Sequence, residues 1–434
     1  MRYVIDVTQL VHWSGNLTGI PRVMDELALR FSTDKTSSVI FVSWVKELGK
    51  LCEIDFTATR RTRGKHIAYR RKISATAVAV NSRQTVDTVL NGNASRLSKK
   101  AIKKIAAKSR FDRTPLYKKI VADTQTIETK TYQQYVAANS DKLFIPWGEW
   151  WDQNWLDLIK DCSLRGVAIY PVTHDILPMV VPQFSGNSGS LANFVSQIFP
   201  LATRVLAVSK SSKQDVSTWM KQRGLEVPPI DVFRLGEDFS IKNIQLDSKE
   251  MQKKYDVTIN NYLIFVSTIE PRKNHQILYY TYKLAKSRGI ILPKLIIVGR
   301  IGHDVELLIK TIREDPDTAD SISIQNNVDD SDLHWLYQNS MFAVLPSFYE
   351  GWGMSVLESI TRGKPVVCSA TSSLLEMPQD CVLYFNPASS DECLGALLKM
   401  TQADTLKKYT SNTKKYKAHS WDESYKQVLA ILDK

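Results

Sequence analysis

The chain has 434 residues, 43% of them hydrophobic, which fits a globular protein with a full core, and no apolar run approaches the ~20 residues of a membrane-spanning helix. Five cysteines (Cys52, Cys162, Cys368, Cys381 and Cys393) form an odd set without a CxxC pair, which excludes a disulfide framework and a zinc site and reads as free thiols in a reducing compartment. The formal net charge is +12, but residues 58–120 alone hold eighteen Lys/Arg against Asp87 and Asp112, a local +16 that leaves the rest of the chain at −4.

At ~150 residues per domain the length implies two or three domains. MRYVIDVTQLV carries Asp6 inside its only apolar run, so it reads as a first strand rather than a secretion signal, and the protein is expected in the cytosol. The strand reading runs through residues 2–11 into a polar loop, HWSGNLTG. Pro21 then opens a helix over 23–31. SVIFVSWV (38–45) reads as a second strand. The basic stretch follows, with an amphipathic helix expected at 95–111. Strands resume at 142–147, 166–174 and 204–209. After a linker near 240–260, a second alternating unit has strands at 261–269, 294–299, 321–325, 342–347, 365–370 and 382–385. Alternation of strand and helix implies parallel sheets with crossover helices. Two such units place a cleft between two sets of strand C-termini, where ligands of parallel sheets bind.

The chemistry is written most densely in FAVLPSFYEGWGMSVLESITRGKPVV (342–367). A strand ends near Ser347, a loop carries Glu350, Gly351, Trp352 and Gly353, and a helix starts near Met354 and Ser355. Two glycines admit a close ligand, and the unpaired N–H groups of the new helix suit phosphate. Glu358, about one turn in, can look back to the same mouth, where each carboxylate oxygen accepts one hydroxyl of a vicinal diol.

This segment, with its Glu350-x7-Glu358 pair, resembles glycosyltransferase family 4, whose members have the GT-B fold: α/β, two Rossmann-like parallel-sheet domains facing each other across a cleft. The resemblance implies that Glu350 meets the donor sugar and Glu358 the ribose of a nucleotide-diphospho-sugar. Further matches fall in the family's order. In IEPRKNH (269–275), Arg272 and Lys273 correspond to the basic pair that meets the donor diphosphate. Many members also carry an arginine where this chain has Thr268, and the EPRKN subgroup, rich in mannosyl- and rhamnosyltransferases, uses the pair seen here. In PVTHDILP (171–178), His174 corresponds to a cleft histidine near sugar and acceptor. In GNLTGIPR (15–22), Gly19 corresponds to a glycine beside the donor phosphate or acceptor, and Arg22 reads equally as a phosphate ligand or a solvated helix-start residue. Backbone near Val328 corresponds to a contact with the base. AVSKSSKQDV (207–216) and FRLGEDF (233–239) match as architecture.

The resemblance implies a retaining, metal-independent hexosyltransferase. Its catalytic residues are His174, Arg272, Lys273 and Glu350. Donor binding falls to Gly19, Val328, Gly351, Trp352, Gly353, Met354, Ser355 and Glu358. No cofactor or metal is expected; the nucleotide sugar is a co-substrate, with GDP-mannose favoured and dTDP-rhamnose or a UDP-sugar as alternatives. Residues 1–245 form an acceptor-binding domain with the basic insertion at about 50–140, completed by a C-terminal helix over 419–434; residues 246–418 form the donor-binding domain. The acceptor is a glycan, polyprenyl-diphosphate-linked as in O-antigen or capsule assembly, and other polysaccharide-assembly enzymes are further partners. Residues 58–120 read as a solvated loop, as a patch for an anionic membrane surface, which would hold the enzyme on the inner face of the cytoplasmic membrane, or as a nucleic-acid binder, the last without any recognisable reader module. The aromatic run PWGEWWDQNW (146–155) reads either as an acceptor groove or as core. A catalytically inactive nucleotide-sugar-binding scaffold is the reading from another class.

Overall fold

The computed structural model describes residues 2–13, 17–46, 48–60, 133–185, 188–238 and 246–434. The expected helix at 95–111, and the basic segment beyond Arg60, lie outside the described residues.

The first sheet contains β1 (Arg2–Asp6), β2 (Val39–Val45), β3 (Lys50–Ile54), β4 (Gln133–Gln134), β5 (Asp141–Ile145), β6 (Ala168–Thr173), β7 (Val205–Ala207) and β8 (Ile230–Val232), in the order β4-β3-β2-β1-β5-β6-β7-β8. From β2 to β8 the pairings are parallel, with Val4 beside both Ile40 and Leu143. The buried, unbroken runs of β1 and β5 follow from helices covering both faces. The β3 and β4 edge is antiparallel, an addition to the expected parallel order. Its strands carry Lys50, Glu53, Gln133 and Gln134, a polar edge without the apolar runs by which the other strands are read.

The second sheet is parallel throughout: β9 (Tyr262–Val266), β10 (Lys294–Val298), β11 (Ile322–Gln325), β12 (Phe342–Leu345), β13 (Val366–Ser369) and β14 (Val382–Phe385), ordered β11-β10-β9-β12-β13-β14. Each sheet therefore reverses its strand order once, between β1 and β5 and between β9 and β12. Ligands of such sheets bind beyond the strand C-termini at that reversal.

Two readings are corrected. The first strand stops at Asp6, because the Asp6 carboxylate accepts the Thr8 backbone N–H (2.9 Å) and hydroxyl (2.5 Å), turning the chain into a short helix, Thr8–His12. The presumed linker holds a helix, Ser248–Tyr255, because Asp247 caps its first N–H groups. The helix Trp421–Leu432, opened by a capping box of Ser420 and Glu423, packs on the first sheet's side, where Tyr425 meets Phe31 edge-on at 4.9 Å and Trp421 is fully buried. All five cysteines are buried and free. No described helix is long and apolar enough to cross a membrane.

Candidate functional site

The reversal of the second sheet brings two loops together. The loop after β9 forms a single turn, Pro271–Lys273, and the loop after β12 carries Glu350. Arg272 Nη1 donates to Glu350 Oε2 at 2.9 Å and to the Tyr349 carbonyl at 2.7 Å, while Arg272 Nη2 donates to Glu270 at 2.6 Å. Lys273 Nζ donates to Glu350 Oε1 at 2.6 Å, and the Ser347 hydroxyl donates to the same oxygen at 2.7 Å. Ser372 accepts the Glu350 N–H and Ser373 donates to its carbonyl, so the backbone of this residue is fixed as well. Burial alone would raise the Glu350 carboxyl; Lys273 and Arg272 outweigh it and bring the pKa down to about 2. Burial lowers Arg272 too, but Glu350, Glu270 and Asp175 together hold its proton above the ordinary range. Three of the four residues expected to carry the chemistry, Arg272, Lys273 and Glu350, are thus one charge-paired cluster.

The helix Met354–Thr361 starts directly beside this cluster. Its N-cap, Gly353, has φ +101°, a conformation that favours glycine, and a Cβ there would also strike Leu374 at 2.7 Å. Glu358 lies part-buried on this helix, 3.6 Å from Arg22 of the first domain. Burial raises the Glu358 carboxyl, with Arg362 and Arg22 opposing. Arg22 is therefore not a solvated helix-start residue. Gly19, at φ +57°, precedes the Ile20–Thr33 helix that carries Arg22, and open space surrounds its Cβ position.

The first domain meets the charged cluster itself chiefly through backbone. A Cβ on Gly351 would lie 2.4 Å from the His174 carbonyl and 2.9 Å from Asp175 Oδ2, so only glycine allows the approach. Ser212 donates to the same His174 carbonyl at 2.9 Å. His174 itself is buried. Its Nε2 donates to the Pro146 carbonyl at 2.8 Å, because a carbonyl only accepts, and burial lowers its pKa to about 4. The ring is accordingly neutral at pH 7, with Nδ1 left as an acceptor. Trp147 lies 5.5 Å from it, ring to ring. The aromatic run divides: Trp155 is core, Trp147 and Trp150 are half-buried, and Trp151 is half-exposed.

Trp352 packs against both domain cores and Met354 against that of the first, so their side chains seal the interface while their backbone opens the helix. Ser355 is part-buried on its first turn. Val328, half-buried, follows β11, which lies two strands from β9 and three from β12 in the second sheet. Asp329 caps the adjoining helix Asp330–Asn339, and Asp332 is engaged by Lys254 and Tyr255 at 2.5 Å each. Asp315 and Asp317 pair with Lys283 at 2.9 Å. Among the described residues, no three His, Cys, Asp or Glu side chains are grouped to hold a metal.

Four participants escaped the sequence reading. Glu270 and Asp175 stood inside quoted motifs without a role. Ser347 is visible only as part of the PS-x-x-EG pattern. Glu376 left no signal at all: its carboxylate crosses from the second domain to accept the N–H groups of Lys210 (3.0 Å) and Ser211 (2.8 Å), at the start of the helix Lys210–Lys221. Phe184 and Phe348 stack at 5.3 Å across the same boundary, and Tyr349 donates to Asp215.

Residues 247–416 match the family described as Glycosyl transferases group 1. O-antigen chain mannosyltransferase B of Escherichia coli is 31% identical over 179 residues, covering 41% of this chain and 47% of that protein. The serotype-specific mannosyltransferase WbdA of Escherichia coli is 27% identical over 224 residues, covering 50% of this chain and 27% of that protein. The chain thus spans less than half the length of these curated relatives. Among solved structures, Anabaena HepE, crystallised with UDP and glucose, superposes with a TM-score of 0.59 at 15% identity, covering 100% of this chain and 99% of that one. A glycosyltransferase from Rickettsia africae gives 0.58 at 15% identity, covering 100% and 97%. The fold is GT-B, with two parallel-sheet α/β domains.

Proposed function

We propose that this chain is a retaining, metal-independent glycosyltransferase that moves mannose from GDP-mannose to a lipid-linked glycan of the O-antigen type. The observation that carries the reading is the pairing of Glu350 with Arg272 and Lys273 at the reversal of the second sheet, beside a helix N-terminus. Two fixed cations and unpaired N–H groups stabilise a departing diphosphate without a metal. Both curated relatives described above are named mannosyltransferases, one of them of the O-antigen chain, which supports the choice of sugar and of an O-antigen acceptor.

In this reading the diphosphate sits at Arg272, Lys273 and the helix start at Gly353–Ser355. Glu350 accepts hydroxyls of the donor sugar. Glu358 accepts the ribose hydroxyls, and the base extends along the strand C-termini towards Val328. The loop at Gly19 faces the phosphate or the acceptor. The acceptor hydroxyl attacks from the face that the diphosphate leaves, and the departing phosphate oxygen takes its proton. His174, neutral, positions the reacting sugar through Nδ1. The basic residues of 58–120 hold the enzyme on anionic lipid at the inner face of the cytoplasmic membrane.

A thermal-shift screen against GDP-, UDP- and dTDP-sugars tests the donor. Stabilisation by GDP-mannose above the others is expected, and stabilisation by another sugar nucleotide alone replaces it. Product stereochemistry by NMR tests retention, and activity in EDTA, restored or not by magnesium or manganese, tests metal independence. Recovery with anionic but not neutral liposomes is expected, and equal recovery with both removes the membrane.

A further inference from the structure

Both oxygens of Glu350 are engaged by the same donors that a phosphate at this place would need. Oε1 accepts from Lys273 and Ser347, and Oε2 from Arg272. Glu270 accepts from Arg272 Nη2, and the buried Asp175 carboxyl lies within electrostatic reach of both cations. Two cations thus face three carboxylates, so the cluster has no positive charge to spare.

We infer that Glu350 makes the site select a sugar-bearing nucleoside diphosphate over the bare diphosphate, because any phosphate entering must take Arg272 and Lys273 from it. The inference rests on the transferase reading. A carboxylate that loses those partners is left buried and unpaired, which is costly. Sugar hydroxyls on the donor give it new partners; a nucleoside diphosphate brings none to that position. The exchange is therefore complete with the donor and incomplete with the product of transfer. After the sugar has moved, Glu350 reclaims the two cations and expels the diphosphate, a release step that needs no metal to leave with it.

Calorimetry on the full chain decides this, with three pairs as probes: GDP and GDP-mannose, UDP and UDP-glucose, dTDP and dTDP-rhamnose. For the pair that binds, the wild type holds the sugar form tighter. Glu350→Gln keeps the volume and removes the charge, so the bare diphosphate gains about tenfold in affinity, the size of one charge-assisted hydrogen bond, while the sugar form does not gain. Ser347→Ala, which removes one anchor of Glu350 and no charge, shifts the preference in the same direction by a smaller factor, and guards against a misfolded Glu350 variant. A wild type that binds none of the three pairs overturns the transferase reading and this inference with it. A wild type that binds a pair, with neither variant holding the diphosphate more tightly, overturns the exchange alone.

Discussion

The two domains build their shares of the cleft in different ways. In the second domain, side chains do the work, and they come from two loops at adjacent strand ends: Glu270, Arg272 and Lys273 after β9, and Ser347 and Glu350 after β12. In the first domain the contact with that cluster is mostly main chain, the His174 carbonyl against Gly351, supported by Ser212. A parallel sheet with one reversal concentrates charged groups in two short, contiguous segments, which a reader of the sequence can find. A backbone contact across a cleft depends on the placement of two whole domains and leaves only a glycine behind.

The largest effect should come from breaking the charged side. Lys273→Ala leaves Glu350 buried with half its counter-charge, costing about 3–5 kcal/mol of stability by urea unfolding and about 10²–10³ in turnover. Turnover near wild type would mean that charge does not develop at this cluster. Gly351→Ala probes the backbone side. Its Cβ would meet the His174 carbonyl at 2.4 Å, so the domains must separate, and kcat/KM should fall about a hundredfold with nucleoside diphosphate binding retained. Loss of both would place the damage inside the second domain instead. Glu358→Ala should weaken the donor about tenfold by calorimetry, the loss of two charge-assisted hydrogen bonds partly regained from water; unchanged affinity removes the ribose assignment.

Acid sharpens the contrast between the domains. Glu350 is depressed from 4.5 to about 2 and His174 from 6.5 to about 4 when folded. In both cases the unfolded chain binds more protons, so stability rises with pH across each window. His174 should therefore lose its contribution as pH falls from 6.5 towards 4, and Glu350 later, from 4.5 towards 2. Urea unfolding of His174→Asn and Glu350→Gln against pH separates the two windows; a single shared window would contradict the assignment. The smallest change is expected from Glu376→Gln, which removes a charge from a helix N-terminus and should raise the donor KM about two- to fivefold. An unaltered KM would show that this crossing contact does not help to seat the domains.

Most of the second domain is legible in the sequence. Most of its strands are apolar runs, and Glu350, Arg272, Lys273 and Glu358 lie in patterned segments. Three things are not. The polar strand pair β3 and β4 shows no apolar period because it lies at an edge. The first strand ends earlier than the sequence suggests because Val7, Leu10 and Val11 prolong the apolar character, although a local side-chain turn at Asp6 and Thr8 redirects the chain. Arg22 and Glu376 act across the cleft, over 336 and 165 positions of sequence, and no short-range pattern announces such a partner.

One feature limits how these domains can move. The chain leaves the first domain after Asp238 and re-enters it at Tyr416–Trp421, and the two passages are tied together. Glu237 accepts from Tyr416 and Arg234, and its own N–H reaches the His419 carbonyl at 2.7 Å; Asp238 accepts the Trp421 N–H at 2.8 Å. A single tether permits swivelling in any direction. Two tethers clasped at one place leave little beyond opening and shutting, as with a book whose spine is stitched twice. Removing the last helix would therefore do more than bare the first domain's core: it would take away the Trp421 tie to Asp238 and leave the second passage held only through Tyr416 and His419, without any residue of the cleft having been changed.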